Sequence, residues 1–113
     1  MSDCLFCRIV SRQIPSQIVF EDDLALVFQD LNPQAPTHVL IIPKKHIPSL
    51  ADAAEEDAAL LGHLQRVAGR FAREHSLEKG FRVVTNSGRG AGQSVDHLHY
   101  HLLGGRAMTW PPG

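Results

Sequence analysis

The order of apolar patterns along this chain predicts an α+β fold: an antiparallel sheet of about five strands, one long helix and a short N-terminal helix. Three observations carry the prediction. Short β-prone runs at 17–21, 24–30, 38–43, 81–85 and 97–103 are joined mostly by brief turns. A single stretch, from Asp52 to about Glu74, keeps helical spacing. No repeat, low-complexity tract or linker interrupts the 113 residues, so one domain over 1–113 is expected.

The elements follow in order. Leu5 to Val10 reads as a short helix that stops before the Gln13-Ile14-Pro15 turn. Two apolar runs, 17–21 and 24–30, are divided by Asp22-Asp23, which reads as strand, tight turn and strand. Asn32-Pro33-Gln34-Ala35-Pro36 is a loop, because each proline biases its predecessor away from helix. His38 to Pro43 is rich in β-branched residues and is expected as a central strand. Asp52-Ala53-Ala54-Glu55 has the form of a capping box, and Leu60, Leu61, Leu64, Val67, Ala68 and Phe71 behind it form an apolar stripe. Phe81 to Thr85 is a further strand, followed by a loop carrying Gly88, Gly90 and Gly92. The last strand then runs to Gly104-Gly105.

Composition excludes several functions. Apolar residues make up 43% and charged residues 20%, with a net charge of −1. No basic cluster exceeds Lys44-Lys45, which argues against a nucleic-acid polymer as partner. A small phosphorylated ligand is still allowed, since backbone amides hold a phosphate without net positive charge. Met1 to Cys4 shows no secretory pattern, and the longest aliphatic run, Val39 to Ile42, is too short to span a bilayer. The expectation is a cytoplasmic protein with Cys4 and Cys7 reduced: thiols, a redox pair or metal ligands.

The chemistry-bearing stretch is His97-Leu98-His99-Tyr100-His101-Leu102-Leu103. Read as one strand, it puts three imidazoles on one face, neighbours about 7 Å apart and the outer pair about 14 Å apart. Two could grip one metal ion and the third could not reach it. At least one imidazole is then left as a nucleophile or general acid/base. The preceding glycine loop, with Gln93 and Ser94 at its end, offers a nest of backbone N–H groups for a phosphate oxygen. Cys4-x-x-Cys7 has no strand before it, which disfavours thioredoxin-like chemistry; a zinc site would need two further ligands. Lys44 and Lys45 read as solvent-facing charge, and His63 and His75 as surface residues.

The run from His97 to Leu103 matches the histidine-triad motif. Asp30 to His38, Ile42-Pro43-Lys44-Lys45-His46, Gly92-Gln93-Ser94-Val95, and Gly104-Gly105-Arg106 with Trp110-Pro111-Pro112-Gly113 resemble the Hint branch of that superfamily. The resemblance covers the chain from Cys4 to Gly113, with Asp96 standing where an aromatic residue is common. It implies a hydrolase of purine nucleoside phosphoramidates and related adenylates. His99 would take the nucleotidyl group covalently, assisted by His101 and His38, and release AMP or GMP. Gln93 and Ser94 would hold the phosphoryl oxygens, Asn86 would be a polar contact in the site, and Asp30 would take the ribose. Leu5, Phe6, Ile9, Phe28 and Leu31 would line the base. It also implies a structural zinc ion on Cys4, Cys7, His46 and His97, with no catalytic metal. A two-fold homodimer would join sheets and pack the long helices, and Trp110 would reach the partner's site. A dinucleoside polyphosphate hydrolase and a nucleotide-binding regulator with incidental hydrolysis are the alternatives.

Overall fold

A computed structural model describes residues 3–113. The elements are α1 (Leu5–Val10), β1 (Ile18–Glu21), β2 (Ala25–Gln29), β3 (Thr37–Pro43), α2 (Ala58–Glu74), β4 (Phe81–Val84) and β5 (Tyr100–Gly104). The five strands form one sheet in the order β1-β2-β3-β5-β4, antiparallel throughout. The expected α+β architecture is the one observed. No helix among the described residues is long and apolar enough to cross a membrane.

Alternation along the central strands sends side chains to two separate cores. Val27, Val39, Ile41, Tyr100 and Leu102 pack with Leu64, Val67, Ala68, Phe71 and Ala72 of α2. Those helix positions recur at the spacing of one helical face, and each fully buried large side chain contributes roughly 1.5–3 kcal/mol. Leu26, Phe28, Leu40 and Ile42 point the other way and pack with Phe6 and Ile9 of α1. His38 keeps step with Leu40, and His101 alternates with Tyr100 and Leu102. Both histidines therefore stand on the face that α2 leaves uncovered, with His101 opposite Leu40 and His38 opposite Leu103.

Two boundaries differ from the sequence reading. Asp52 does not cap the long helix: it ends a short 3-10 turn, Leu50–Asp52, and its carboxylate accepts from the Ser49 hydroxyl at 2.7 Å. Ala53 is extended, and a second 3-10 turn, Glu55–Asp57, leads into α2. Asp57 stands at the N-terminal boundary of α2, but its carboxylate reaches back to the Ala54 N–H at 2.9 Å and closes the 3-10 turn without capping the helix. The histidine strand also starts later than expected, at Tyr100. Its partner β3 stops at Pro43, which has no N–H for the ladder, and the Leu98 N–H turns instead to the Ile47 carbonyl at 2.6 Å.

The chain leaves β5 through two glycines with separate steric reasons. A Cβ on Gly104 would meet Leu77 at 2.9 Å; Gly105 has φ of 90° and a Cβ there would meet Pro36 at 2.9 Å. Three residues expected as bare surface are engaged. Lys45 pairs with Asp57 at 2.6 Å, His63 Nε2 with Asp22 at 2.6 Å, and His75 stacks on Phe71.

The Lys45 ammonium, together with the Ala54 N–H, holds the buried Asp57 carboxyl below its usual range. A depressed carboxyl stabilises the fold above its unfolded pKa, and that contribution fades as pH falls through the lower folded value. Lys45→Met should therefore lower Tm by several degrees at pH 7. Thermal scans across pH should show the gap to wild type narrowing on the acid side, as Asp57 protonates below the usual carboxylate range.

Candidate functional site

The first constellation is built by the N-terminus of α1. Cys4 is its N-cap, and the Cys4 Sγ accepts from the Cys7 N–H at 3.3 Å, so the helical turn brings both thiols to one end. His46 arrives from the segment after β3 and His97 from the segment before β5. Cys4 Sγ lies 3.3 Å from His97 Nδ1, Cys7 Sγ 3.3 Å from His46 Nδ1 and 3.5 Å from His97 Nδ1, and the two Nδ1 atoms are 3.2 Å apart. Tetrahedral zinc with bonds of about 2.0–2.3 Å requires donor separations of about 3.3–3.7 Å. Four of the six edges of a tetrahedral site are thus at or near the required length, and all four donor atoms lie within 4.8 Å of one another. His97 Nε2 donates to the Pro43 carbonyl at 2.8 Å, the outer contact typical of a ligating histidine. Burial pushes the His97 imidazole down to about 4, so at neutral pH it is uncharged with its Nδ1 lone pair directed at the cluster.

The second constellation adjoins the first through His97 itself. His99 Nδ1 donates to the His97 carbonyl at 2.7 Å, which assigns the tautomer and leaves the lone pair on Nε2. The His99 carbonyl accepts from Thr85 Oγ1 at 2.8 Å, and its ring meets Phe6 edge-on at 5.1 Å. His99 and His101 ring centroids are 5.2 Å apart, closer than the regular strand spacing allows, because the backbone is not in the ladder at 97–99.

Hydrogen-bond polarity also orders His38, His101 and Asp30. The Gln34 N–H donates to His38 Nδ1 at 3.0 Å, so neutral His38 carries its proton on Nε2. That proton faces His101 Nδ1 at 2.9 Å, which places the His101 proton on its Nε2. Burial lowers the pKa of both imidazoles against the opposing Asp30 charge, and His99 and His38 lower that of His101 further. Asp30 Oδ2 is 3.4 Å from His38 Nε2, while its Oδ1 accepts from the Asn32 N–H at 2.7 Å. By distance alone these three side chains could also hold a cation. A ligating His38 Nε2 would need its proton on Nδ1, where the Gln34 N–H already points. The outer contacts therefore suit a metal in the first constellation and a proton relay in the second.

The other expected residues are placed as follows. Gln93 is buried, with Nε2 donating to the Pro48 and Val95 carbonyls at 2.7 and 2.9 Å and Oε1 accepting from the Gly88 N–H at 2.8 Å. Its amide holds the glycine loop together and faces no ligand. The loop is not the expected open nest: the N–H groups of Ala91, Gly92 and Gln93 donate to the Gly88 and Arg89 carbonyls within a 3-10 turn. The Ser94 hydroxyl is exposed beside it, and Asn86 lines the cleft that holds His38 and His101. Phe6, Ile9 and Phe28 belong to the α1-side core, whereas Leu5 is half-exposed and Leu31 fully exposed. Asp96 pairs with Arg89 across the loop at 2.9 Å. Trp110 is 82% exposed, while Pro112 and Met108 line the chain's own His38–His101 cleft.

Several contributors had no sequence signal. The Gln34 N–H and the carbonyls of Pro43 and His97 are main-chain groups, and Thr85 is an ordinary strand residue by type. Only topology brings them to the histidines.

These features belong to a family whose members share both fold and motif. The HIT domain pattern matches residues 11–108 of the chain. An uncharacterized HIT-like protein from Synechocystis is 54% identical over 98% of this chain and 97% of its own length. The crystal structure of a HIT family hydrolase from Legionella pneumophila superposes with a TM-score of 0.96 at 52% identity, covering 98% of this chain and 100% of that one. A histidine triad nucleotide-binding protein from Candida albicans gives 0.82 at 32% identity, covering 98% and 85%. The chain belongs to the HIT domain family.

Gln93→Leu should expose how much the loop relies on that one amide. It leaves the Gly88 N–H and the Pro48 and Val95 carbonyls without that partner, a loss of about 2–4 kcal/mol. Urea denaturation should report the loss as a lower midpoint at unchanged slope.

Proposed function

We propose that the chain is a nucleotidyl hydrolase acting on purine nucleoside 5'-phosphoramidates and related adenylates. One observation carries the reading: the His99 Nδ1–H is committed to the His97 carbonyl, so Nε2 presents a lone pair beside a proton-bearing His101. HIT family hydrolases and a histidine triad nucleotide-binding protein are among the solved structures that resemble it, which supports hydrolysis and a nucleotide ligand.

The chemistry proceeds in two displacements. His99 Nε2 forms a bond to the α-phosphorus and the P–N bond breaks. The departing nitrogen takes the proton of His101 Nε2 and leaves as an amine, and a solvent proton entering the cleft replaces it on His101 Nε2. The positive charge on the nucleotidyl-imidazole sits next to the His97 carbonyl. Water then attacks phosphorus, gives up its proton to solvent, and His99 leaves as neutral imidazole with release of the nucleoside monophosphate. Ser94 and Asn86 are assigned to the phosphoryl oxygens. Asp30 Oδ2 is assigned to the ribose, and Leu5 and Leu31 to the base above a floor of Phe6, Ile9 and Phe28.

Cys4, Cys7, His46 and His97 fit a zinc ion by donor set and spacing, and the ion would supply a cross-link between the chain's two ends. Thiol ligands suit a reducing compartment, consistent with a cytoplasmic location. A two-fold homodimer would cover the exposed β4 edge and give Trp110 a partner surface. The chain acts as one HIT domain in each copy.

Two outcomes are expected. His99→Asn should abolish release of the amine from an adenosine phosphoramidate, a loss of at least about 10³-fold, while AMP still binds by calorimetry. A nucleotidyl adduct trapped on any other residue would displace His99 from this role. For the metal, free zinc at a hundredfold its dissociation constant stabilises by about 2.7 kcal/mol, a Tm gain on the order of 10 °C. Chelation should remove that gain and Cys4→Ser should abolish the response, with the rate per folded molecule changing less than the stability. Mass spectrometry of the native protein showing no zinc would count against the assignment.

A further inference from the structure

The cleft of about 260 Å³ against His38 and His101 has a charge distribution that the proposed chemistry does not use. Arg82 and Arg106 both line it, together with Asn86 and Pro112, and no aspartate or glutamate does. Arg12, Arg70 and Arg89 each pair with a carboxylate. The recorded partners of the two cleft arginines are main-chain carbonyls instead. Arg82 donates to Thr109 at 3.0 Å, and Arg106 donates to Gln34 at 2.8 Å and to Ala107 at 3.0 Å. A guanidinium has five donors in a fork that matches carboxylate or phosphate, so these contacts fix the side chains without exhausting them.

Strand register says which side of the reaction this wall faces. Asp30, assigned to the ribose, follows β2 and lies on one flank of His38. Arg82 stands on β4 opposite Leu103, which is itself opposite His38, on the other flank of the histidines. A substrate held by its ribose at Asp30, with its phosphorus at His99, therefore directs its departing group toward the arginines.

We propose that the leaving group carries an anionic end, a carboxylate or a phosphate, and that Arg82 and Arg106 select for it. This rests on the nucleotidyl-hydrolase reading and narrows its substrate class. The step keeps the same balance: the His99–P bond forms, the P–N bond breaks, and the amine leaves with the His101 proton. Its anionic end stays paired with the arginines and takes no part in bond changes. A partly exposed pair of cations gives a preference that ionic screening weakens.

The test uses the full-length protein and three leaving groups on adenosine 5'-phosphoramidate: an amine bearing a carboxylate, the same amine as its carboxamide, and an amine bearing a phosphonate. At low salt the carboxylate or phosphonate compound should exceed the carboxamide in kcat/KM by roughly tenfold, and the gap should narrow in several hundred millimolar salt. Whichever anion gains more identifies the natural source. Arg82→Gln should cut the preference by at least about threefold and Arg82→Lys should keep most of it. Arg106→Lys provides the second check, because it keeps the charge while loosening the contact to Gln34. Equal kcat/KM for charged and neutral leaving groups in wild type overturns the proposal. So does a preference that survives in the Arg82→Gln, Arg106→Gln double variant. Loss of AMP affinity as large as the loss of substrate selection would assign the arginines to the α-phosphate and also overturn it. If no compound releases its amine, the hydrolase reading fails separately. Calorimetry of the intact carboxylate and carboxamide compounds on His99→Asn then decides the arginine assignment, with equal affinities counting against it.

Discussion

The side chain and backbone of His97 form the joint on which the rest of the site depends. Its Nδ1 points into the sulfur and nitrogen donors of Cys4, Cys7 and His46, its Nε2 proton is held by Pro43, and its carbonyl receives the His99 proton. Each bond constrains the others, because an imidazole with one nitrogen donating must present a lone pair at the other. The same residue that meets the cysteines of α1 through its side chain thus meets His99 through its main chain.

The chain places two histidine clusters side by side and distinguishes them by what stands behind each ring. His97 is backed by an acceptor, the Pro43 carbonyl, and His38 by a donor, the Gln34 N–H. Identical imidazoles are thereby given opposite proton arrangements. In the first the lone pair converges with the sulfur and nitrogen atoms of Cys4, Cys7 and His46, an arrangement suited to a cation. In the second a lone pair meets a proton, and the row Gln34–His38–His101 is satisfied without one. A neighbouring main-chain group, at hydrogen-bond distance, is enough to set the chemistry of a histidine.

Much of this was legible in the sequence, for reasons that can be located. The strands and the helix face followed from residue type and period, which depend on local geometry. Period also said that one ion could not take all three imidazoles, whereas the separate parts expected of His97 and His99 came from the resemblance to the histidine-triad pattern. The misses fall where long-range contacts decide. Asp52 looked like a helix cap, but Ser49 satisfies it and the buried Asp57, drawn by Lys45, takes the position. The histidine run looked like one regular strand, but β3 ends at a proline and leaves 97–99 outside the ladder, with the Leu98 N–H turned to Ile47. The three main-chain groups that converge on the Gln93 amide are likewise invisible in a sequence. The arginines of the cleft are unremarkable as sequence, since only the β4–β5 pairing sets Arg82 beside the histidines.

The contact between Cys4 and His97 joins positions 93 residues apart, and that between His46 and His97 positions 51 apart. A ribosome makes them in order. Cys4, Cys7 and His46 emerge first and must wait for His97, which at roughly 5–20 residues per second takes about 3–10 s. Throughout that interval two thiols and an imidazole are available to any passing metal or oxidant, with the sheet still lacking its fourth and fifth strands. Assembly of the cluster and insertion of β5 between β3 and β4 then become a single late event, since His97 stands three residues before that strand. The nascent chain acquires the whole histidine run and its last structural tie together, so a partly synthesised copy has neither.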